Sequence, residues 1–274
     1  MNKKINVAVL SGGLSDEREV SLQSGDNVAR AAESLGYEVR RYDPAHDLKK
    51  IIEDKDWIDV VFPALHGKYG EDGTIQGFCE LLNLPYVGSG VLASAQAMDK
   101  MKTIEIYKKA GLPVAKSIEF DATTVMDKVK TEIGFPCVIK PVGNGSSIGV
   151  AIIEKESDLA GALNKVSRID KRLMVEEYIK GREITVGVIG NDKLEALPVI
   201  EIKPKNHFYD YESKYGEGTE LPVFEGVSDK IIQQAQDYAL RAHKALGCRG
   251  ISRTDIILRD EELFVLETNT LPGM

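Results

Sequence analysis

The 274 residues are 43% hydrophobic and 28% charged, an ordinary globular composition with room for about two domains. The net charge of −8 and the pI of about 5.2 argue against a general nucleic-acid binder, whose affinity rests on neutralising phosphates, but allow a nucleotide site with a few local cations. Three widely spaced cysteines, Cys79, Cys137 and Cys248, make no CxxC pair and read as reduced thiols in a reducing compartment, and no apolar run is long enough to span a membrane.

Residues 5–10 read as an apolar strand rather than the core of a signal peptide, because Ser11-Gly12-Gly13 and charged residues follow at once. Asp16 and Glu19 have capping-box spacing for a helix that runs to about Leu35 and stops at Gly36. Residues 37–42 and 59–65 read as strands and 73–82 as a helix. This alternation predicts a parallel sheet with helices on its faces, and ligands at the carboxyl ends of its strands. The loops 11–17 and 66–72 lie there. A second unit holds helices at 93–97 and 103–110, a strand at 117–120, another helix, strands at 135–142 and 150–154, a helix at 157–165 and a strand at 172–179. The third opens with a hairpin, 183–189 and 194–202, turning at Gly190-Asn191-Asp192. A long loop, 203–222, an amphipathic helix, 229–246, and a closing hairpin follow. The expected domains are 1–91, 92–178 and 179–274.

The closing hairpin, 253–269, sets two apolar strands around a charged turn at Asp260, Glu261 and Glu262. A turn centred on Glu261 pairs Asp255 with Glu267 and Arg253 with Asn269, and period-two alternation puts all four on one face. Two carboxylates and an amide oxygen suit Mg²⁺, which also takes oxygens from substrate phosphates. The alternative is a solvated strand face, and a one-residue slip would scatter the cluster.

The glycine-rich loop Lys140-Pro-Val-Gly143-Asn-Gly145-Ser146-Ser147-Ile-Gly149 joins two strands. It reads either as a phosphate cradle, with Lys140 offsetting the charge, or as a plain hairpin turn. It is neither a P-loop nor a dinucleotide fingerprint, since a strand follows it and not a helix. Glu17, at a strand's carboxyl end, is placed to hold a substrate ammonium. His66 is either structural or catalytic. The loop 206–220, dense in tyrosines, reads as a lid in which Lys214 could reach a phosphate and Tyr215 a hydrogen-bond partner. Glu176-Glu177-Tyr178-Ile179 joins two lobes where a planar base could lie, with Glu183 near its ribose. Lys100, after Met98-Asp99, reads as the end of a helix, where a cation favours the dipole.

In order along nearly the whole chain, these segments resemble the D-alanine–D-alanine ligase family of the ATP-grasp superfamily. They are Gly12-Gly13…Glu17-Arg18-Glu19-Val-Ser21, Leu65-His66-Gly67…Gly70-Glu71-Asp72-Gly73, Met98-Asp99-Lys100, Lys140-Pro…Gly145-Ser146-Ser147, Phe208-Tyr-Asp-Tyr211…Lys214-Tyr215, Arg253…Asp255, and Glu267…Asn269-Thr…Pro272-Gly273-Met274. The resemblance implies an α/β ATP-grasp fold preceded by a parallel-sheet, Rossmann-like domain. ATP would lie between the second and third units. It implies Lys100, Lys140 and Lys214 on phosphates, with Ser146 and Ser147 in the glycine-rich loop. Glu176, Tyr178 and Ile179 would line the adenine and Glu183 the ribose. Asp255, Glu267 and Asn269 would hold two Mg²⁺ ions, or Mn²⁺ in their place.

By the same resemblance, Glu17 binds the first D-alanine's ammonium and closes a triad with Ser146 and Tyr215. His66 lies near that substrate's carboxylate, and Arg253 and the N–H of Gly273 form an oxyanion hole. The implied reaction is ATP-dependent formation of D-alanyl-D-alanine for peptidoglycan by a cytoplasmic homodimer, with D-alanine and ATP as its small-molecule partners and no nucleic acid or membrane. In the family a Ser-Leu stretch follows Pro-Gly-Met and holds the second D-alanine's carboxylate; here the sequence stops at Met274, which reads as a truncation. Another ATP-grasp carboxylate–amine ligase, or an inactive nucleotide-binding module, is the alternative expectation.

Overall fold

The computed structural model describes residues 4–120, 125–143, 145, 149–203 and 222–274. The first unit is a parallel sheet in the order β2-β1-β3, with β1 (Asn6–Leu10) between β2 (Glu38–Tyr42) and β3 (Val60–Pro63). Strand β1 is apolar throughout because both faces are covered. Val7 and Val9 pack with Val28 and Ala29 of α1 (Arg18–Ser34). Ala8 and Leu10 pack on the other face with Ile51 of α2 (Leu48–Glu53) and Ile75 and Cys79 of α3 (Thr74–Leu81). Six-residue α2 was too short to be seen in the sequence pattern. The one tryptophan of the chain, Trp57, lies in this unit with the Arg40 guanidinium 4.0 Å above its ring.

The expected capping box does not form. Helix α1 begins at Arg18, with Glu17 at the N-cap and no side-chain cap bond. Ser15 Oγ instead accepts the Glu17 N–H at 3.3 Å and donates to the His66 carbonyl at 2.6 Å, tying the two strand-end loops together.

The second unit is an antiparallel sheet, β4-β7-β5-β6, of β4 (Ser117–Phe120), β5 (Cys137–Pro141), β6 (Ala151–Ile153) and β7 (Leu173–Glu177). α6 (Val125–Lys128), continued by a π turn, and α7 (Glu156–Val166) accompany it, and Ile139, Val175 and Leu159 meet in its core.

The third sheet runs β10-β8-β11-β12, with β8 (Arg182–Gly190), β10 (Ile200–Glu201), β11 (Gly250–Arg259) and β12 (Glu262–Asn269), and with β9 (Glu195–Ala196) also paired to β8. The single strand expected over 194–202 is split in two, and Pro198, which has no N–H to give a ladder, lies in the gap. Helix α8 (Asp229–Leu246) packs Ala235, Ala239 and Ala242 on this sheet. Helices α4 (Val91–Met98) and α5 (Lys100–Lys109) join the same core through Ala97, Tyr107 and Ile106.

Two local findings correct the sequence reading and shape the site. First, Lys100 does not end a helix but opens α5, and Asp99 caps it by accepting the Lys102 N–H at 3.0 Å. A cation at that end opposes the dipole, so helix stability does not explain it. Second, the closing turn is not centred on Glu261. Arg259 pairs with Glu262, leaving Asp260 and Glu261 as the loop, and a β-bulge at Leu266 then shifts the register. Before the bulge Leu263 and Val265 face the core; after it Thr268 and Thr270 do. The bulge thus turns Glu267 and Asn269 to the opposite face, and Arg253↔Asn269 and Asp255↔Glu267 pair as expected. Without it both would point into the aliphatic core.

Candidate active site

On the outer face of the third sheet Asp255 is the hub. It is 4% exposed. Its Oδ1 accepts from Thr185 Oγ1 at 2.6 Å and Arg253 Nε at 3.1 Å. Its Oδ2 accepts from Arg253 Nη2 at 3.2 Å and Asn269 Nδ2 at 3.1 Å. Because the Asn269 nitrogen is turned to Asp255, its amide oxygen is left to face away. Glu267, paired across the ladder, meets Lys100 Nζ at 3.8 Å. Glu183 stands two residues before Thr185 on β8, opposite Ile257, and so shares this face.

Lys140 at the end of β5 forms an ion pair of 2.6 Å with Glu176 of β7, each side chain only 11% exposed. Glu176 therefore turns towards Lys140. Tyr178 follows β7 and donates its N–H to the Pro136 carbonyl at 3.3 Å, and Ile179 is buried. A cleft lined by Glu71, Lys100, Gly145, Glu267 and Asn269 connects the hairpin, the start of α5 and the glycine-rich loop. The Lys100 N–H also donates to the Val142 carbonyl at 3.1 Å, which fixes the helix start to the strand entering that loop.

The first unit closes the cleft from the other side. Glu17 is 5% exposed, and its Oε2 lies so close to Gly67 that a Cβ there would overlap it; a Cβ on Gly145 would come within 3.1 Å. Next to it is Glu71, which accepts the Gly67 N–H at 2.8 Å. Burial and the neighbouring Glu17 carboxylate push Glu71 up to about 8. Two adjacent carboxyl groups in a confined space form a niche for a cationic group. His66 is buried, its Nε2 2.9 Å from Ser24 Oγ, and the ring also bonds the Leu271 backbone. Burial, and then the nearby Arg253 cation, lower its pKa to about 4, so the ring is neutral. Ser24 Oγ also receives the Met274 N–H at 3.3 Å, so helix α1 and His66 together hold the segment carrying Gly273, which is exposed.

The structure thus brings together Glu17, His66, Lys100, Arg253, Asp255, Glu267 and Asn269, with Lys140, Glu176 and Glu183 on the adjoining strands. Ser146, Ser147, Lys214 and Tyr215 lie outside the described residues. Three participants escaped the sequence reading. Glu71 stood inside the quoted His66–Gly73 motif without a role, Thr185 was one of several strand threonines, and Ser24 carried no pattern at all. For a metal, the described residues hold no group of three His, Cys, Asp or Glu side chains. Asp255, Glu267 and the Asn269 oxygen form an all-oxygen set of low ligand number, which fits Mg²⁺ completed by substrate phosphates.

The chain matches the family model "D-ala D-ala ligase C-terminus" over residues 106–274 and "D-ala D-ala ligase N-terminus" over 42–89. It is 49% identical to a D-alanine–D-alanine ligase of Syntrophobacter fumaroxidans, covering 99% of this chain and 89% of that one. It is 46% identical to the ligase of Desulfotalea psychrophila, over 99% and 87%. Among solved structures, the Bacillus anthracis D-alanine–D-alanine ligase complexed with ATP superposes with a TM-score of 0.82 at 32% identity, over 98% of this chain and 87% of that one. The VanG D-Ala:D-Ser ligase of Enterococcus faecalis gives 0.85 at 30%, over 99% and 91%. With both of its family regions matched and a site of this geometry between its sheets, the chain is a member of the D-alanine–D-alanine ligase family, built on the ATP-grasp fold.

Proposed function

We propose that this chain joins two D-alanines into D-alanyl-D-alanine with ATP, through an acylphosphate, as a step in peptidoglycan synthesis. The observation that carries this reading is the single face formed by Arg253, Asp255, Glu267 and Asn269, set against Lys100 and across a cleft from Glu17 and Glu71. One side suits a metal-bound triphosphate and the other an ammonium. Glu17 holds the first D-alanine's ammonium, beside Glu71. The carboxylate of that first D-alanine attacks the γ-phosphorus of ATP, giving the acylphosphate and releasing ADP. Lys100 and Lys140, with Lys214 from the lid loop, hold the phosphates, and Tyr178, Ile179 and Glu183 flank the nucleoside. Asp255, Glu267 and Asn269 hold Mg²⁺, or Mn²⁺ in its place, which when bound neutralises charge on the transferring phosphoryl group.

The second D-alanine's amine then attacks the acyl carbon, and phosphate leaves. Arg253, released from Asp255, and the Gly273 N–H stabilise the oxyanion that forms. Ser146 and Tyr215, with Glu17, close the site against water, and Ser147 contributes to the nucleotide site. The enzyme works in the cytoplasm, where ATP is available, as a homodimer; support for the dimer is the exposed Leu81 and Leu92 on neighbouring helices α3 and α4. Coupled ADP release with product mass spectrometry tests the reaction. D-Alanine, ATP and Mg²⁺ should yield ADP, phosphate and the dipeptide. ADP release only with another acid or amine, or nucleotide binding without turnover, overturns the proposal.

A further inference from the structure

Beneath the ligand-bearing face, the aliphatic core of the third unit contains a chain of three buried hydroxyls. Tyr107 of α5 is fully buried, and its Oη is 2.6 Å from Thr268 Oγ1. Thr268 Oγ1 is in turn 2.9 Å from Thr254 Oγ1. The surroundings are Ile184, Val186, Ile256 and Val265, where Phe and Val would pack without any need for hydrogen bonds. Polar groups in such a core favour one geometry over its neighbours rather than adding much net stability.

The position of the chain is specific. Thr268 lies between Glu267 and Asn269, and Thr254 between Arg253 and Asp255. The two threonines face each other as the second ladder pair beyond the bulge at Leu266, where the ladder changes register. A slip of one residue there would exchange the two faces of β12 and carry Glu267 and Asn269 into the core. Tyr107 also stands seven residues after Lys100, two helical turns on, so both project from one side of α5. That side straddles edge strand β12, with Lys100 reaching Glu267 on the outer face and Tyr107 reaching Thr268 on the inner one. The far end of α5 is anchored by Arg241 of α8, whose Nη2 donates to the Ala110 and Gly111 carbonyls at 2.6 and 3.0 Å.

We infer that Tyr107 is a positioning residue for metal binding: through Thr268 and Thr254 it fixes the strand register past the bulge and so the side of the sheet on which Glu267 and Asn269 stand. This rests on the assignment of Asp255, Glu267 and Asn269 to the metal. The test uses the full chain and Mn²⁺ as probe, with affinity measured by electron paramagnetic resonance in the presence of a non-hydrolysable ATP analogue. Tyr107→Phe should weaken Mn²⁺ binding roughly tenfold, the low end of the effect of outer partners on metal sites. Metal-free affinity for the analogue should stay within about twofold of the parent, and turnover should recover at high Mn²⁺. A purely structural role would lower the melting temperature without this split. Thr254→Val, which cuts the chain at its other end, should act in the same direction and serves if the tyrosine variant does not fold. Mn²⁺ affinity unchanged in a folded variant overturns the inference, as does an equal loss of metal-free nucleotide binding. Glu267→Gln separates the two assignments: if it too leaves Mn²⁺ binding intact, the metal site itself is misassigned, whereas loss in Glu267→Gln alone removes only the role of Tyr107.

Discussion

The Lys140–Glu176 pair predicts that stability and nucleotide binding can be separated by substitution. At 2.6 Å, with 11% exposure on each side chain, the attraction is about 6 kcal/mol at an effective dielectric near 20. Desolvating two ions costs several kcal/mol apiece, so the intact pair is close to neutral overall. Lys140→Met leaves the Glu176 carboxylate nearly buried without its cation. A fully buried ion stripped of its partner costs about 3–5 kcal/mol, and the remaining exposure lowers this to about 2–3 kcal/mol. The melting temperature of the chain, followed by far-ultraviolet circular dichroism, should then fall by roughly 4–12 °C. Adding Glu176→Gln removes the stranded charge and should restore most of that loss. ATP affinity, measured by calorimetry, should stay low in the double variant, because the cation proposed to hold a phosphate is still missing. A single variant as stable as the parent, or a double variant no more stable than the single one, would refute the reasoning.

Gly67 has a φ of +69° and no room for a Cβ beside Glu17. Gly67→Ala should therefore cost about 100-fold in kcat/KM for D-alanine, as expected when a binding group is displaced by about 1 Å, with ATP affinity unchanged in a binding titration. Glu71 rises from an ordinary 4.5 to about 8, so folding takes up a proton between these values and its contribution falls as pH rises, by up to about 1.4 kcal/mol per unit. His66 drops from 6.5 to about 4, so its contribution falls as pH decreases across that window. Together they predict a plateau in ligand-free stability between about 4.5 and 6.5 from these two groups; Glu71→Gln should remove the alkaline fall and turn the plateau into a rise with pH, which His66 alone then produces, in melts run across pH, and a fall that persists speaks against the assignment. Deleting Leu266 removes the inserted residue and lets the ladder run on without a bulge, so Glu267 and Asn269 should stay opposite Asp255 and Arg253 and Mn²⁺ binding should be retained; its abolition would contradict the reading of Leu266 as the inserted residue.

Several features were legible because periodicity carries them. The apolar run of β1 announced a strand covered on both faces, and the alternation in β11 announced Arg253 and Asp255 on a common face. The closing hairpin shows where pattern runs out. Its ligand pairs were placed correctly from a turn centred on Glu261, yet the turn lies at Asp260-Glu261 and the bulge compensates. Sequence spacing cannot distinguish a three-residue turn from a two-residue turn followed by an inserted residue, since both give the same pairing beyond the insertion. Lys100 was misplaced for a related reason: α4 and α5 abut, and only the Asp99 side chain, which caps the second helix, marks the break. Glu71, Ser24 and Tyr107 take their roles from partners 42 or more residues away or from shared burial, and no local pattern records such contacts.

The stacking of Arg40 on Trp57 gives the molecule a reporter confined to one of its three sheets. Since Trp57 is the single tryptophan of the chain, light absorbed at the red edge excites only the parallel-sheet unit that carries Glu17 and His66. Emission in a denaturant series follows that unit alone, while circular dichroism sums over all three. The separation between the two transitions measures the cooperativity with which the parallel-sheet unit and the two antiparallel-sheet units unfold, without any label being added.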